Sequence, residues 1–201
     1  MYTHPTSTTA VPIIFANATD SYDGLVNFGG VRPTLNQSVT GQFTGGSGTD
    51  TLTGNNAANA IIGNGGVDTI NGLGGADFIY GGLGNDILTG GAGRDTFVFN
   101  TAVSAAIGSI NVDTITDFSV VDDAIHLSRT IFAAAGPAGQ LLIGAFNFGS
   151  SAAQADDRII YNSTTGALIY DSNGNVAGGA VQFATISAGL TSLSAADFFL
   201  F

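Results

Sequence analysis

The stretch GGSGTDTLT-GNNAANAII-GNGGVDTIN-GLGGADFIY-GGLGNDILT-GGAGRDTFV, Gly45–Val98, is six consecutive nonapeptides with no insertion or deletion between them. Position six holds Asp50, Asn59, Asp68, Asp77, Asp86 and Asp95, and position eight holds Leu52, Ile61, Ile70, Ile79, Leu88 and Phe97. An unbroken period of this kind marks a repeat architecture, in which each unit buries its apolar face only by stacking on its neighbours.

Each nonapeptide divides by chemistry. Its last three residues set one bulky side chain between two others, the alternation of a very short strand with one face inward. Its first six are glycine-rich, and glycine serves where a chain must take positive φ or approach another backbone closely. Two nonapeptides therefore close one 18-residue coil, and coils stack at the strand spacing of about 4.8 Å. That places Asp50, Asp68 and Asp86 in one column and Asn59, Asp77 and Asp95 in the other.

Bare carboxylates stacked about 5 Å apart repel by up to about 3 kcal/mol at an effective dielectric near 20. A cation between successive turns turns that repulsion into attraction. Carboxylate oxygens with carbonyls from the glycine turns make a hard, all-oxygen cage, which suits Ca2+ and lacks the His or Cys that zinc and copper favour. A metal-free solenoid, whose Asp and Asn hydrogen-bond their own turns, explains the Gly and Asn but not the near-exclusive Asp at position six. Asn59 weakens its column, and its repeat also lacks glycine at positions two and four, so sites that involve it are expected to be weak or empty.

Composition narrows the function classes. The chain has 201 residues and a net charge of -11, with four Arg, no Lys, and fifteen acidic residues that are all Asp. Nucleic acid is a poor partner for that charge. A hydrophobic content of 44% excludes a disordered acidic tail. No apolar run reaches the roughly 18 residues of a membrane span, and the absence of Cys removes disulfides and thiolate metal sites. The run AVPIIFANA, residues 10–18, ends in a small-x-small triplet, but it has no basic flank and is broken by Pro12, which argues against a cleaved signal peptide.

The nonapeptides resemble the RTX family of calcium-binding proteins, whose repeat is G-G-x-G-x-D-x-U-x. The resemblance implies an all-β chain built on a parallel β-roll, with several Ca2+ ions held between turns. Carried over by position, the ligands are the side chains of Asp50, Asp68, Asp77, Asp86 and Asp95, with Asn59 in the remaining repeat. Carbonyls would come from Gly46, Gly48, Gly63, Gly65, Gly72, Gly74, Gly82, Gly84, Gly91 and Gly93. Outside the repeats, Asp113 and Asp117 in DTITDF, and Asp171 with Asn173 in DSNG, are further candidates, although an Asx-turn or an exposed loop explains each about equally well.

Beyond the repeats, DTFVFN (95–100), NVDTITDF (111–118), DDAIHLS (122–128), DDRIIYNSTTGALIYDSNG (156–174) and AVQFATI (180–186) resemble the sandwich-like C-terminal β domain of serralysin-type proteases and of many proteobacterial RTX proteins. RIIYN and ALIYD read independently as a hairpin across the STTG turn. The chain closes in Asp197, Phe198, Phe199, Leu200 and Phe201, which is similar to the uncleaved signal of type I secretion. A closing core strand is compatible with that reading, since the tail could be read unfolded and buried afterwards.

The resemblance thus implies three parts: residues 1–44, 45–98 as the roll, and 99–201 as a C-terminal β domain ending in the export signal. For 1–44, a cap containing Ile13, Ile14, Phe15, Leu25, Val26 and Phe28 stands beside a linker or assembly segment. Catalysis finds little material. There is no Glu, hence no H-E-x-x-H, and His4 and His126 lie far apart. The expectation is a non-enzymatic, secreted or surface calcium binder of a Gram-negative bacterium, exported by type I machinery. Two alternatives stand: a subunit of a surface layer, filament or adhesive matrix, through self-assembly or a cell-surface polysaccharide, and the export and folding module of a larger secreted hydrolase.

Overall fold

The computed structural model describes residues 41–103 and 111–201. The proposed cap of residues 1–44 lies outside these except for its last four residues. Those four form β1 (Gly41–Thr44), and the repeats supply β2 (Thr51–Asn55), β3 (Asn59–Gly65), β4 (Thr69–Leu73), β5 (Phe78–Leu83), β6 (Ile87–Thr89) and β7 (Thr96–Phe99). Odd and even strands part into two parallel sheets, as an 18-residue coil requires: Ile61 stands beside Ile79 and Ile79 beside Phe97, while Leu52 stands beside Ile70 and Ile70 beside Leu88.

Between the sheets these six position-eight residues are all buried. Each full burial of a Leu, Ile or Phe side chain is worth about 1.5–3 kcal/mol, so a stripe with one such residue per nine suffices to hold coils that have no helix and few other large side chains.

Neither sheet breaks where the repeats end. β8 (Asp113–Ile115) adds in parallel to β6, and β9 (Ala124–Leu127) adds in parallel to β7, which places Ile115 beside Leu88 and Ile125 beside Phe97. The chain then lays down β10 (Gly139–Gln140), β11 (Phe146–Phe148), β12 (Ile159–Asn162), β13 (Ala167–Asp171), β14 (Ala180–Thr185) and β15 (Phe198–Leu200). The seven-stranded sheet runs β1-β3-β5-β7-β9-β15-β10, and the eight-stranded sheet runs β11-β12-β13-β14-β8-β6-β4-β2. One hydrophobic core extends from Leu52 to Leu200.

The STTG hairpin is present. β12 and β13 pair antiparallel with Asn162 opposite Ala167, and Gly166 takes φ 79° in the turn and donates its N–H to the Asn162 carbonyl at 2.8 Å. The C-terminal tail is a core strand: Phe198 and Leu200 are buried, Phe199 and Phe201 face outward, and β15 lies parallel to β9. Asp197 sits just before it in a capping box, its carboxylate accepting the Ser194 N–H at 2.7 Å.

Candidate metal centre

Position six of each repeat directly precedes the strand whose position-eight side chain enters the core, or in Asn59 opens it, so its side chain is carried into the buried wall between coils. Asp50, Asp68, Asp77, Asp86 and Asp95 are each 1% exposed or less, and Asn59 is 4% exposed. Each of the last four carboxylates does two things. Its Oδ1 accepts the backbone N–H of the residue one coil earlier: Asp68 from Asp50 at 2.8 Å, Asp86 from Asp68 at 2.8 Å, Asp77 from Asn59 at 2.7 Å, and Asp95 from Asp77 at 2.9 Å. Its Oδ2 points elsewhere. Oδ2 of Asp68, Asp77, Asp86 and Asp95 is buried with no hydrogen-bond donor.

Leaving a charged acceptor buried and unpaired is costly. What surrounds these atoms shows what is wanting. A Cβ built on Gly63 would collide with Asp68 Oδ2 and the Gly81 carbonyl oxygen, and one on Gly72 with Asp77 Oδ2 and the Gly90 carbonyl oxygen. At Gly45 the same point lies 2.6 Å from Asp50 Oδ2 and 2.7 Å from the Gly63 carbonyl oxygen. Each position-one glycine thus lets a position-six side-chain oxygen, a carboxylate in five repeats and the Asn59 amide in the other, approach its Cα closely, joined through the fourth repeat by the carbonyl of the next coil. Those are the hard donors of a calcium site.

The electrostatics agree. Burial, reinforced by neighbouring carboxylates, raises Asp68 from an ordinary value near 3.8 to about 7 and Asp77 to about 6, against the lowering effect of their backbone hydrogen bonds. Asp86 and Asp95 are raised by the same burial. Without a counter-charge the columns resist ionisation. A dication relieves it. Among the described residues no three acidic or histidine side chains converge on one point, so any cation here completes its shell from backbone oxygens.

Both columns outrun the repeats. Asp86 donates its N–H to Asp113 Oδ1 at 3.1 Å, which makes Asp113, 2% exposed, the fourth member of the first column. Asp95 donates to Asp123 Oδ1 at 2.9 Å, so Asp123 is the fourth member of the second. Sequence reading missed Asp123. The visible signal was Asp-x-Ile followed two residues later by Leu in DAIHL, the same arrangement as DTFVF, displaced by a 28-residue step in place of 18.

The other candidates have their own places. Asp117 is exposed and accepts the N–H groups of Gly90 and Gly91 at 2.9 and 2.8 Å. Asp171 Oδ1 accepts the Asn173 N–H at 3.1 Å, an Asx-turn. Gly46 donates its N–H to Asp50 Oδ2 at 2.7 Å, and the Gly82 carbonyl accepts the Thr101 hydroxyl at 2.7 Å. Gly48, Gly66, Gly75, Gly84 and Gly93 hold position four, where coils come closest: a Cβ on Gly84 would strike the Gly66 carbonyl, and one on Gly93 the Gly75 carbonyl. Gly65 and Gly74 contribute to turns with room to spare, with nothing nearer than 3.4 Å to an added Cβ. The glycines that wall the carboxylates sit at position one, the position that is Gly in all six repeats.

The RTX calcium-binding nonapeptide repeat family, in four copies, matches residues 44–79 and again 62–97. Residues 44–97 are RTX repeats. Their cofactor is Ca2+, several ions to a repeat set. No curated protein matches the chain. Among solved structures it is similar to the AlgE6R3 subunit of the mannuronan C5-epimerase of Azotobacter vinelandii, with TM-score 0.51 and 27% identity over 76% of this chain and 79% of that one. It is similar in fold to the AlgE6R2 subunit of the same organism's epimerase, with TM-score 0.51 and 24% identity over 79% of this chain and 92% of the other. The fold is that of the RTX β-roll modules. Among the described residues no helix is long and apolar enough to cross a membrane.

His126 is half-buried in β9. Its ring meets Phe199 at 5.1 Å, Phe201 at 6.2 Å and Phe78 at 6.3 Å, and burial lowers its basicity.

Proposed function

We propose that this chain is a secreted, non-enzymatic calcium-binding protein whose RTX roll folds on meeting extracellular Ca2+ after type I export. The observation that carries the reading is the set of four buried, donorless carboxylate oxygens in two columns. The ions are held by the side chains of Asp50, Asp68, Asp77, Asp86 and Asp95 with carbonyls of the glycine turns, and Asn59 makes its own step the weakest. Calcium supplies the positive charge that lets these carboxylates be ionised and buried together. In cytosol, where Ca2+ is scarce, the columns repel and the chain stays open for passage. Outside, the ion binds only the native form and draws folding forward by mass action.

Within this reading the roll is the calcium-controlled part, residues 99–201 close its far end, and Asp197–Phe201 is read by the exporter before it folds as β15. Circular dichroism tests it: the strand signal falls in EGTA and returns with Ca2+ but not Mg2+. A spectrum indifferent to EGTA would refute it.

The likeness to subunits of an epimerase favours a second reading, that the roll is a module carried by a larger secreted enzyme and helps hold a surface polysaccharide. Sedimentation of the chain with mannuronan, with and without Ca2+, separates the two. Calcium-dependent co-sedimentation supports the module, and its absence at saturating Ca2+ supports the self-sufficient binder.

A further inference from the structure

The seven-stranded sheet is built without Asp or Arg. None of its strands contains either residue, in a chain with fifteen of the first and four of the second. Its outward side is aromatic instead. Phe78 is 44% exposed beside the wholly buried Ile79, and Phe199 and Phe201 are 42% and 48% exposed on either side of the buried Leu200. His126 stands beside Phe199 in the register of β9 and β15, and its ring meets those of all three phenylalanines. The four rings therefore make one continuous surface from β5 to β15. Two hydroxyls that no other described residue engages flank it, Tyr80 on β5 and Thr96 on β7, the latter beside Phe78.

The shape of this side limits what can lie on it. Seven strands spaced by about 4.8 Å make a band about 30 Å long, and strands of about four residues make it about 13 Å wide, roughly 400 Å² in all. A stable pair of protein subunits takes about 800 Å² from each partner, so a second copy laid face to face on the band falls short. A polyanion would find no cation there, on a chain of net charge -11. What fits a long, narrow, uncharged band is one extended neutral polymer. A sugar ring has a face of C–H groups, which packs on aromatic rings, and a rim of hydroxyls, which takes neutral hydrogen-bonding partners. The phenylalanines supply the first, and Tyr80 and Thr96 the second.

We propose that the outward side of the seven-stranded sheet, from Phe78 to Phe201, binds a linear neutral polysaccharide lying across the strands. The proposal rests on the second reading above only in taking a polysaccharide as the ligand. It places the contact on the exposed rings of the sheet, whereas the aspartate columns are buried, and it calls for a neutral chain, not an anionic one such as mannuronan. Calcium enters only by keeping the roll folded. Phe78 and Phe199 lie three strands apart, roughly 14 Å, so a single sugar unit cannot touch both. Affinity must therefore rise with the length of the glycan until both rings are covered.

The test is affinity electrophoresis of the full chain in Ca2+, through gels that contain barley β-glucan or glucomannan as neutral chains and mannuronan as the anionic one. Retardation by a neutral glucan, competed by its long fragments and not by its disaccharide, is expected. Phe78→Ser combined with Phe199→Ser should weaken it by about tenfold or more, while Ile143→Ser, at a position 89% exposed elsewhere on the surface, should leave it unchanged. Retardation by neither neutral glucan, or retardation that the paired substitution does not alter, overturns the proposal. So does dimerisation in sedimentation velocity, or binding to phosphatidylcholine vesicles, that the paired substitution abolishes, since the band would then serve a second copy or a lipid surface. Mannuronan binding that survives the paired substitution while both neutral glucans fail keeps the second reading and rejects this site. Should the paired substitution cost the chain its calcium-dependent strand signal, nuclear Overhauser contacts between the bound glucan and phenylalanine ring protons of the wild-type chain decide: their presence supports the site, and their absence rejects it.

Discussion

Asp68 Oδ1 accepts the backbone N–H of Asp50, 18 residues earlier, at 2.8 Å, while Oδ2 of the same carboxylate is buried without a donor. One side chain thus knits two coils together and holds half of a metal site. The two roles separate by mutation. Asp68→Asn keeps an oxygen able to accept the Asp50 N–H but removes the charge. Asp68→Ala also strands that N–H. At saturating Ca2+, urea unfolding should therefore place the alanine variant below the asparagine variant by about 1–3 kcal/mol, the cost of a buried unsatisfied group. Equal midpoints would mean that the inter-coil hydrogen bond contributes nothing.

The glycines give a sharper contrast. A Cβ at position 63 would collide with Asp68 Oδ2 and the Gly81 carbonyl, whereas a Cβ at position 65 finds nothing closer than 3.8 Å, and neither residue has a left-handed φ that would confuse the comparison. Gly63→Ala should abolish or greatly weaken calcium-induced folding, and Gly65→Ala should leave it near wild type. Calcium titrations followed by circular dichroism distinguish them, and equal effects would show that position one is not where ions sit.

How much of this was legible depended on period. Positions six and eight could be assigned because the same chemistry returns every nine residues, and the sheets, the register and both columns follow from that alone. The role of position-one glycine was visible too, as the position that never varies, but glycines at positions two, three and four obscured it. Asp123 lay hidden because its step from Asp95 is 28 residues, so counting fails just where the columns leave the repeats. β15 was harder still. It pairs in parallel with β9 from some 70 residues away, and such pairing leaves no local pattern, so Phe198–Leu200 could be read as apolar but not placed.

The metal-free chain should respond to acid in a definite direction. Asp68 and Asp77 titrate at about 7 and about 6 in the fold, against ordinary values near 3.8, because burial penalises their charged form. Folded protein then holds protons that unfolded protein has released between about pH 4 and pH 7. The stability these groups give is fully present below about pH 4 and is lost as pH rises through 6 to 7. In EGTA the strand signal should therefore grow on acidification from pH 7.5 toward 4.5, with protons standing in for calcium. Signal independent of pH in EGTA would show that column repulsion is not what keeps the chain unfolded.

Leu73 has a left-handed φ of 73° and is 43% exposed, a conformation that costs an L-residue of this kind roughly 1–2 kcal/mol. One repeat earlier, position two holds Asn64 at φ 76°, whose side-chain amide donates to the Gly45 carbonyl at 2.7 Å. Asn tolerates this region far better than Leu, and the exposed leucine forfeits little burial on replacement. Leu73→Asn should stabilise the calcium-loaded protein by about 1 kcal/mol, read as a higher urea midpoint with an unchanged slope. A lower midpoint would mean that the Leu73 side chain is held by contacts worth more than the backbone strain it imposes.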